Sequence, residues 1–96
     1  MKYIEPLHKL KPSAFTFKWL GIHALLRKRF EEAMTNLERS YQMNPNDGQV
    51  TYNLSGAYFY NKKAEDALRL IDDCLKLNPD FQDAIRFKQF LKQQPK

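Results

Sequence analysis

The feature that most constrains this chain is a repeat of its own sequence, in which one long stretch returns roughly 34 residues later. The stretch WLGIHALLRKRFEEAMTNLERSYQMNP (19–45) returns in altered form as NLSGAYFYNKKAEDALRLIDDCLKLNP (53–79). The aligned pairs include Leu20 and Leu54, Glu31 and Glu65, Ala33 and Ala67, and Asn44-Pro45 and Asn78-Pro79. A period of this length indicates one supersecondary unit built twice, because a single unit cannot bury its own apolar face and has to stack on a neighbour.

Apolar residues within each copy follow a helical period rather than a strict alternation. Two sets have the spacing i, i+3, i+7: Phe17, Leu20 and Ala24, and Met34, Leu37 and Tyr41. A break at RKR (27–29) or NKK (61–63) divides each copy into two helices, and the closing Asn-Pro disfavours continuation of the second helix. Asp47 and Asp80 follow as predicted N-caps of the next helices. The sequence therefore predicts an all-α fold made of helical hairpins.

This pattern resembles the tetratricopeptide repeat, in which W-x2-L-G-x2-Y is followed by A-x3-F and then by P within a unit of about 34 residues. The first copy (14–47) contains Phe17-x2-Leu20-Gly21-x2-Ala24, Ala33-x3-Leu37 and Pro45, and the second (48–81) contains Thr51-x2-Leu54-Ser55-x2-Tyr58, Ala67-x3-Ile71 and Pro79. Ala24 and Thr51 are the departures from the family's aromatic positions. The resemblance implies antiparallel hairpins stacked as a right-handed superhelix. Residues 82–96 are then a capping helix with a polar tail. Residues 1–13 are an N-terminal segment, either left from a preceding repeat or forming a short cap.

Small residues in the pattern mark the expected contacts between helices. Ala33 and Ala67 are expected where the two helices of a hairpin cross closely, since a larger side chain there would overpack by about 1–3 kcal/mol. Leu20 and Leu54 are expected to fill the space between hairpins. Cys74 falls where the family places a small residue on the inner side of the second helix, so we interpret it as a buried structural thiol.

Composition and motifs favour a binding protein over an enzyme. The chain of 96 residues has a net charge of +5, and its single cysteine cannot form an internal disulfide, which favours a reducing, cytoplasmic location. His8 and His23 have no third metal ligand at usable spacing, and the sequence has no glycine-rich phosphate loop. Its apolar runs are too short to cross a membrane. We therefore expect no catalysis, no cofactor and no small-molecule substrate.

The resemblance also implies a concave binding face lined by the first helix of each hairpin. The candidates for a peptide-binding groove there are Phe15, Lys18, Ile22, Tyr52, Asn53, Phe59, Tyr60 and Arg86, with Leu25, Leu26, Gln49, Gly56, Asp83, Phe87 and Phe90 beside them. Aromatic side chains bury a large area at low entropic cost, and Asn53 could hold a ligand's backbone amide through two hydrogen bonds. The predicted function is that of an adaptor, scaffold or chaperone which binds a protein or peptide segment. The alternative is a groove filled by its own side chains or by residues 1–12.

The carboxylate clamp that some family members use for the C-termini of cytosolic chaperones is not expected in this chain. Lys18 and Asn53 stand where that subfamily has a lysine and an asparagine. Ile22 replaces a further asparagine, however, and Asp83 and Phe87 replace two basic residues. Because Asp83 would repel a carboxylate, we exclude this mode of binding.

Two further functions stay open at this point. Arg27, Lys28, Arg29, Lys62 and Lys63 occupy equivalent turns and are predicted to form a basic rim about 10 Å long, able to contact an acidic protein, anionic lipid or nucleic acid. Nucleic acid is disfavoured because the aromatic residues that would stack on bases belong to another face. The remaining alternative is structural: a slice of a longer solenoid, or a homodimer formed through the end faces.

Overall fold

The computed structural model describes residues 13–94, and this part of the chain forms five α-helices. They are α1 (Ala14–Leu26), α2 (Phe30–Met43), α3 (Gly48–Tyr60), α4 (Ala64–Leu77) and α5 (Gln82–Lys92). Each helix packs on the next, and α1 also contacts α3. The short turns make α1–α2 and α3–α4 antiparallel hairpins, so the predicted all-α hairpin fold is confirmed for the described residues. The N-terminal segment predicted for residues 1–13 lies, apart from Ser13, outside the described residues, as do the last two residues of the predicted polar tail.

Side-chain caps start the first helix of each hairpin. Ser13 Oγ accepts a hydrogen bond from the Thr16 amide at 3.2 Å, and Thr16 Oγ1 accepts one from the Ser13 amide at 2.9 Å. Asp47 caps α3 as predicted, because its Oδ1 accepts from the amides of Gln49 at 3.0 Å and Val50 at 3.3 Å. These bonds satisfy amide donors that have no partner inside the helix.

The cap predicted at Asp80 is wrong. Helix α5 begins after Phe81, which has no side-chain cap bond, and Asp80 is exposed. The repeat alignment places Phe81, not Asp80, at the position equivalent to Asp47. The Phe81 ring instead packs on Tyr52 of α3, with 5.1 Å between ring centroids. Burial of an aromatic ring thus replaces the polar cap at the start of α5.

The two basic turns share one backbone geometry. At the end of α1, the Lys28 amide donates to the Leu25 carbonyl at 3.0 Å, and the Arg29 amide donates to the Ala24 carbonyl at 2.9 Å. Equivalent bonds close α3, and the φ angles of Lys28 and Lys62 are 61° and 63°. This is the Schellman arrangement, whose left-handed position usually holds glycine because other residues are strained there.

Helix contacts within the hairpins are close and well defined. A Cβ atom on Gly21 would lie 2.5 Å from Leu37 Cγ, so only glycine fits between α1 and α2 at that point. At the equivalent position of the second hairpin, Ser55 is buried and its hydroxyl donates to the Ala67 carbonyl at 2.7 Å. Ala33 and Ala67 are fully buried, in agreement with their predicted place at the helix crossings.

The core consists of two clusters of buried residues. The first joins α1, α2, α3 and α4 and contains Ala24, Ala33, Leu37, Val50, Leu54, Ala57 and Leu70; the second joins α4 and α5 and contains Ala67, Ile71, Cys74, Ala84 and Leu91. Leu54 is 1% exposed, whereas its counterpart Leu20 is only half-buried. Leu54 therefore fills the predicted space between hairpins, while Leu20 does so only in part.

Two equivalent hydrogen bonds tie the end of the second helix to the start of the first. Ser40 Oγ donates to the Ala14 carbonyl at 2.7 Å, and one repeat later the Cys74 thiol donates to the Gly48 carbonyl at 3.3 Å. Cys74 is fully buried, and this burial raises the pKa of its thiol. The thiol is thus held as the neutral group that the structural interpretation requires.

Candidate functional site

A groove of about 740 Å³ opens on the face formed by α1, α3 and α5. It is lined by Leu25, Leu26, Lys28, Phe30, Tyr52, Asn53, Gly56, Tyr60 and Phe87. Its volume lies within the range of about 300–1,000 Å³ that is usual for ligand sites in proteins. We call this surface the concave groove.

Gly56 forms the floor of the concave groove. A Cβ atom placed on Gly56 would have no neighbour within 4 Å, so the space in front of the α3 backbone is open. Tyr52 and Tyr60 lie one helical turn before and after it on the same face of α3. The missing side chain therefore leaves a gap between two tyrosine rings, although glycine inside a helix costs about 0.5–1 kcal/mol relative to alanine.

One wall of the groove is an aromatic stack between consecutive hairpins. The Phe30 and Tyr60 rings are nearly parallel, with 4.4 Å between centroids and 12° between planes. Asn61 holds the two elements together, because its Nδ2 donates to the Phe30 carbonyl at 2.9 Å and to the Ala57 carbonyl at 2.7 Å. Tyr60 nevertheless remains 56% exposed. Contacts from both hairpins therefore hold this wall in place, while the ring of Tyr60 stays accessible to solvent.

The opposite wall carries a neutral phenol. The Tyr52 ring contacts Phe81 at 5.1 Å and Phe87 at 6.2 Å between centroids. Burial, and then the negative charge of Asp83, raise the pKa of the Tyr52 hydroxyl. Tyr52 can therefore give a ligand an apolar ring and one hydroxyl donor at neutral pH.

Phe59, predicted to contact a ligand, instead holds α5 in place. Its ring packs against Phe90 at 5.3 Å and Phe87 at 6.1 Å, and it belongs to the second core cluster as a half-buried member. It does not line the concave groove. The stacked pair of Phe87 and Phe90, 6.0 Å apart, continues the same cluster along α5.

Lys18 also has an intramolecular role. Its Nζ lies 3.0 Å from Asp47 Oδ2, and its side chain is only 16% exposed. The same ammonium lies 5.5 Å from the centroid of the Trp19 ring. Lys18 does not line the concave groove, and we do not include it in the proposed site.

The other predicted contact residues divide between the groove and the rest of the surface. Ile22 packs against the first core cluster, Phe15 is exposed beside Trp19, and Arg86 pairs with Asp83; these residues do not line the groove. Tyr52, Asn53 and Tyr60 do line it. Asn53 Nδ2 donates to the Gln49 carbonyl at 2.8 Å within α3. A bidentate grip on a ligand amide would have to break that bond, so Asn53 contributes mainly its Oδ1 acceptor.

Lys28 and Phe30 line the groove although the sequence did not place them there. The sequence predicts Lys28 for the basic rim and predicts no contact for Phe30. The stack of Phe30 on Tyr60 joins residues of two different hairpins. Helical periodicity describes one helix at a time and carries no signal of such a contact. A large aromatic directly after a basic turn was the one available hint.

All five residues of the predicted basic rim are exposed. In the described part of the chain Arg29 alone among them has an ion pair, with Glu32 at 3.9 Å. Acidic residues in the first turns of α2 and α4, Glu31, Glu32, Glu65 and Asp66, lie next to the two turns. Their negative charges interact favourably with the positive N-terminal ends of α2 and α4 and weaken the positive electrostatic potential of the basic rim.

Residues 13–94 contain no group of three or more His, Cys, Asp or Glu side chains arranged to bind a metal ion. None of their helices reaches the length and apolar character that crossing a bilayer demands.

Comparisons with known proteins agree with the hairpin architecture. The sequence model of the tetratricopeptide repeat family matches residues 24–93, well over half of the chain. A comparison with curated protein sequences gives no significant match. Repeats of this family generally mediate binding between proteins and are generally not catalytic. The repeat period, the stacked hairpins and the match together show that the chain belongs to the tetratricopeptide repeat family.

Proposed function

We propose that this chain is a non-catalytic module that holds a segment of a partner protein in the concave groove. The observation that carries the proposal is the open floor at Gly56 between the rings of Tyr52 and Tyr60, where a Cβ atom would meet nothing within 4 Å. An apolar side chain that enters open space beside aromatic rings gains dispersion contacts that solvent does not supply. A partner side chain inserted there would bury apolar area on three sides.

The shape of the groove suits a short linear segment. It runs between α1, α3 and α5 and has room for a few side chains. Short apolar segments held in this way bind with micromolar dissociation constants, which correspond to about −8 kcal/mol. The role would be that of an adaptor, scaffold or chaperone, in the cytoplasmic compartment that the single cysteine favours.

A photo-crosslinking experiment tests the proposal. Tyr60, which is 56% exposed in the groove, is replaced by a benzophenone-bearing phenylalanine analogue. The matched control carries the analogue at Met43, which is 54% exposed and does not line the groove. After irradiation in lysate, mass spectrometry identifies the crosslinked partner peptides. We expect one family of apolar segments at position 60, absent from the control at position 43 and lost when Gly56→Leu fills the floor.

Two results would overturn the proposal. Crosslinks at position 60 that persist with Gly56→Leu would show that the floor is not occupied. A crosslink to a second copy of this chain, with a solution mass twice the monomer's 11.4 kDa, would assign the groove to dimerisation. Gly48→Leu is the matched variant for Gly56→Leu, because a Cβ atom on Gly48 also has no neighbour within 4 Å and Gly48 does not line the groove.

A further inference from the structure

We infer that the concave groove selects segments in which a bulky apolar side chain stands close in sequence to a carboxylate, the apolar side chain lying over Gly56 and the carboxylate pairing with Lys28. This inference rests on the proposed function and deepens it by naming the chemistry of the ligand. It makes Lys28 and Gly56 the two residues that determine specificity.

The apolar half of the inference follows from the shape of the floor. Tyr52 and Tyr60 flank Gly56 at one turn on either side, and Phe87 of α5 lies across from them. A small ligand side chain would leave this gap partly empty and forfeit contacts with the ring faces. A leucine, phenylalanine or tryptophan side chain of a ligand would fill it.

The acidic half follows from the charges around the groove. Lys28 is the charged residue among those that line it. No carboxylate of residues 13–94 forms an ion pair with Lys28. Two cations of the helices that border the groove are paired, Arg86 of α5 with Asp83 and Lys18 of α1 with Asp47. Among the residues that line it, the groove therefore presents one positive charge that has no ion-pair partner in residues 13–94, which favours an acidic ligand group and disfavours a basic one.

The backbone conformation at Lys28 fixes the point from which its charged side chain extends. Lys28 has a φ of 61°, a left-handed conformation in which glycine would be less strained. Its amide and that of Arg29 close the Schellman turn against α1 at 3.0 and 2.9 Å. The lysine stem thus starts from a fixed point beside Leu25 and Leu26 on the groove wall.

Lys62 provides an internal control. It occupies the equivalent turn of the second hairpin with a φ of 63° and the same two hydrogen bonds. It lies at a different surface depression, beside Ala64, Leu91 and Lys92, and does not line the concave groove. Lys28→Gly and Lys62→Gly therefore relieve the same backbone strain and remove the same charge, but only Lys28→Gly changes the groove.

The test is a peptide array probed with the natural chain and with three variants: Lys28→Gly, Lys62→Gly and Gly56→Leu. The array presents acetylated Gly-Ser-Xaa-Zaa-Ser-Gly and Gly-Ser-Xaa-Ser-Zaa-Gly peptides in which Xaa and Zaa take every pair of common amino acids. We expect the natural chain and Lys62→Gly to retain peptides that combine a large apolar residue with Asp or Glu. Lys28→Gly should keep the apolar preference but lose about twofold to fivefold of the preference for the acidic partner. Gly56→Leu should abolish retention.

Soluble peptides check the array result. Fluorescence anisotropy of the best peptide, and of its Asp→Asn or Glu→Gln counterpart, measures the ratio of dissociation constants. We expect this ratio to shrink at high salt for the natural chain and to be close to one for Lys28→Gly. Thermal unfolding confirms that each variant is folded.

The outcomes separate this inference from the proposed function. If retention requires an open Gly56 but does not depend on Asp or Glu, or favours Lys and Arg, the inference is overturned and the proposed function stands. The inference also fails if Lys62→Gly loses the acidic preference as strongly as Lys28→Gly. If Gly56→Leu retains the same peptides as the natural chain, both are overturned.

Discussion

Lys18 Nζ lies 3.0 Å from Asp47 Oδ2, and this contact ties α1 of the first hairpin to the start of α3 in the second. Asp47 also caps α3 through Gln49 and Val50. One carboxylate therefore joins two helices and satisfies two amide donors. The contact also explains why a lysine at this position is not free to hold a ligand.

The Asp47 contact predicts an acid-sensitive part of the folding stability. Burial tends to raise the pKa of Asp47, but the hydrogen bonds from Lys18 and the Val50 amide outweigh it, so the pKa lies below the ordinary value of 3.8. A carboxyl whose pKa is lower in the folded state contributes stability that is complete above the unfolded pKa and is lost as pH falls through the folded pKa. We expect Asp47→Asn, which keeps a good capping side chain, to lose about 1 kcal/mol at pH 7.

Urea unfolding at neutral pH and below pH 3.8 measures this effect. The difference between the natural chain and Asp47→Asn should shrink progressively as pH falls below 3.8, because the Asp47 carboxyl of the folded chain becomes protonated only below that value. A difference that is the same at both pH values would contradict the role of the charge. Lys18→Met, which keeps the apolar stem, should reproduce most of the loss at neutral pH.

Replacement of the three glycines by alanine should change the folding stability differently at each position. Gly21→Ala places a Cβ atom 2.5 Å from Leu37 Cγ, so we expect a net loss of about 1–2 kcal/mol despite the better helix propensity of alanine. Gly56→Ala meets open space inside α3 and should gain about 0.5–1 kcal/mol. Gly48→Ala meets open space as well and should not destabilise. The urea concentrations at the midpoints of unfolding, analysed with a common m value, compare the three variants. A higher stability of Gly21→Ala would contradict the close packing of α1 on α2 at Leu37.

Lys28 and Lys62 both have a left-handed backbone conformation, and we expect replacement of either residue by glycine to raise the folding stability. Lys62→Gly should stabilise the chain by about 0.5–1 kcal/mol, because relief of the strain at a φ of 63° exceeds the entropy that glycine loses on folding. Lys28→Gly should gain a similar amount at a φ of 61°. Lys62→Ala removes the same charge without relieving strain and should gain nothing. Equal effects of Lys62→Ala and Lys62→Gly would assign the gain to charge instead.

Cys74 should tolerate serine and resist modification. Serine at this site can donate to the Gly48 carbonyl as Ser40 does to the Ala14 carbonyl, so we expect Cys74→Ser to lose less than about 1 kcal/mol. Cys74→Val removes the donor and adds a methyl group at a fully buried site, which should cost about 1–3 kcal/mol. The raised pKa and burial of the thiol predict that Ellman's reagent reacts only as the chain unfolds. Rapid labelling of the folded chain would refute this.

Local sequence patterns were sufficient to predict the hairpin architecture. The spacing of Leu20, Ala33 and Pro45, which recurs in the second copy, places helices, turns and crossings because these depend on contacts within one hairpin. The cap at Asp47 follows from the same local chemistry. The failure at Asp80 shows the limit: α5 begins after Phe81, whose ring packs on Tyr52 of α3, and the local sequence gives no signal of that contact.

The candidate groove was predictable only in part. Helical phase identifies the inward face of α3, so Tyr52, Asn53 and Tyr60 line the groove as predicted. The helical phase of a residue does not distinguish an inward position that is open to solvent from an inward position that a neighbouring helix covers. Helical phase therefore predicts Phe59 for the groove, whereas α5 packs on its ring.

The sequence by itself determined the repeat, the helical hairpins of residues 13–94 and the buried crossings at Ala33 and Ala67, since each is a property of a helix or hairpin that neighbouring residues specify. Tertiary structure decided which side chains remain open. Stacking of the hairpins pairs Lys18 with Asp47 and Phe30 with Tyr60, and it leaves Lys28 and Gly56 facing empty space. Such contacts join residues far apart in the sequence, and their geometry depends on how one hairpin sits on the next, which no local pattern encodes.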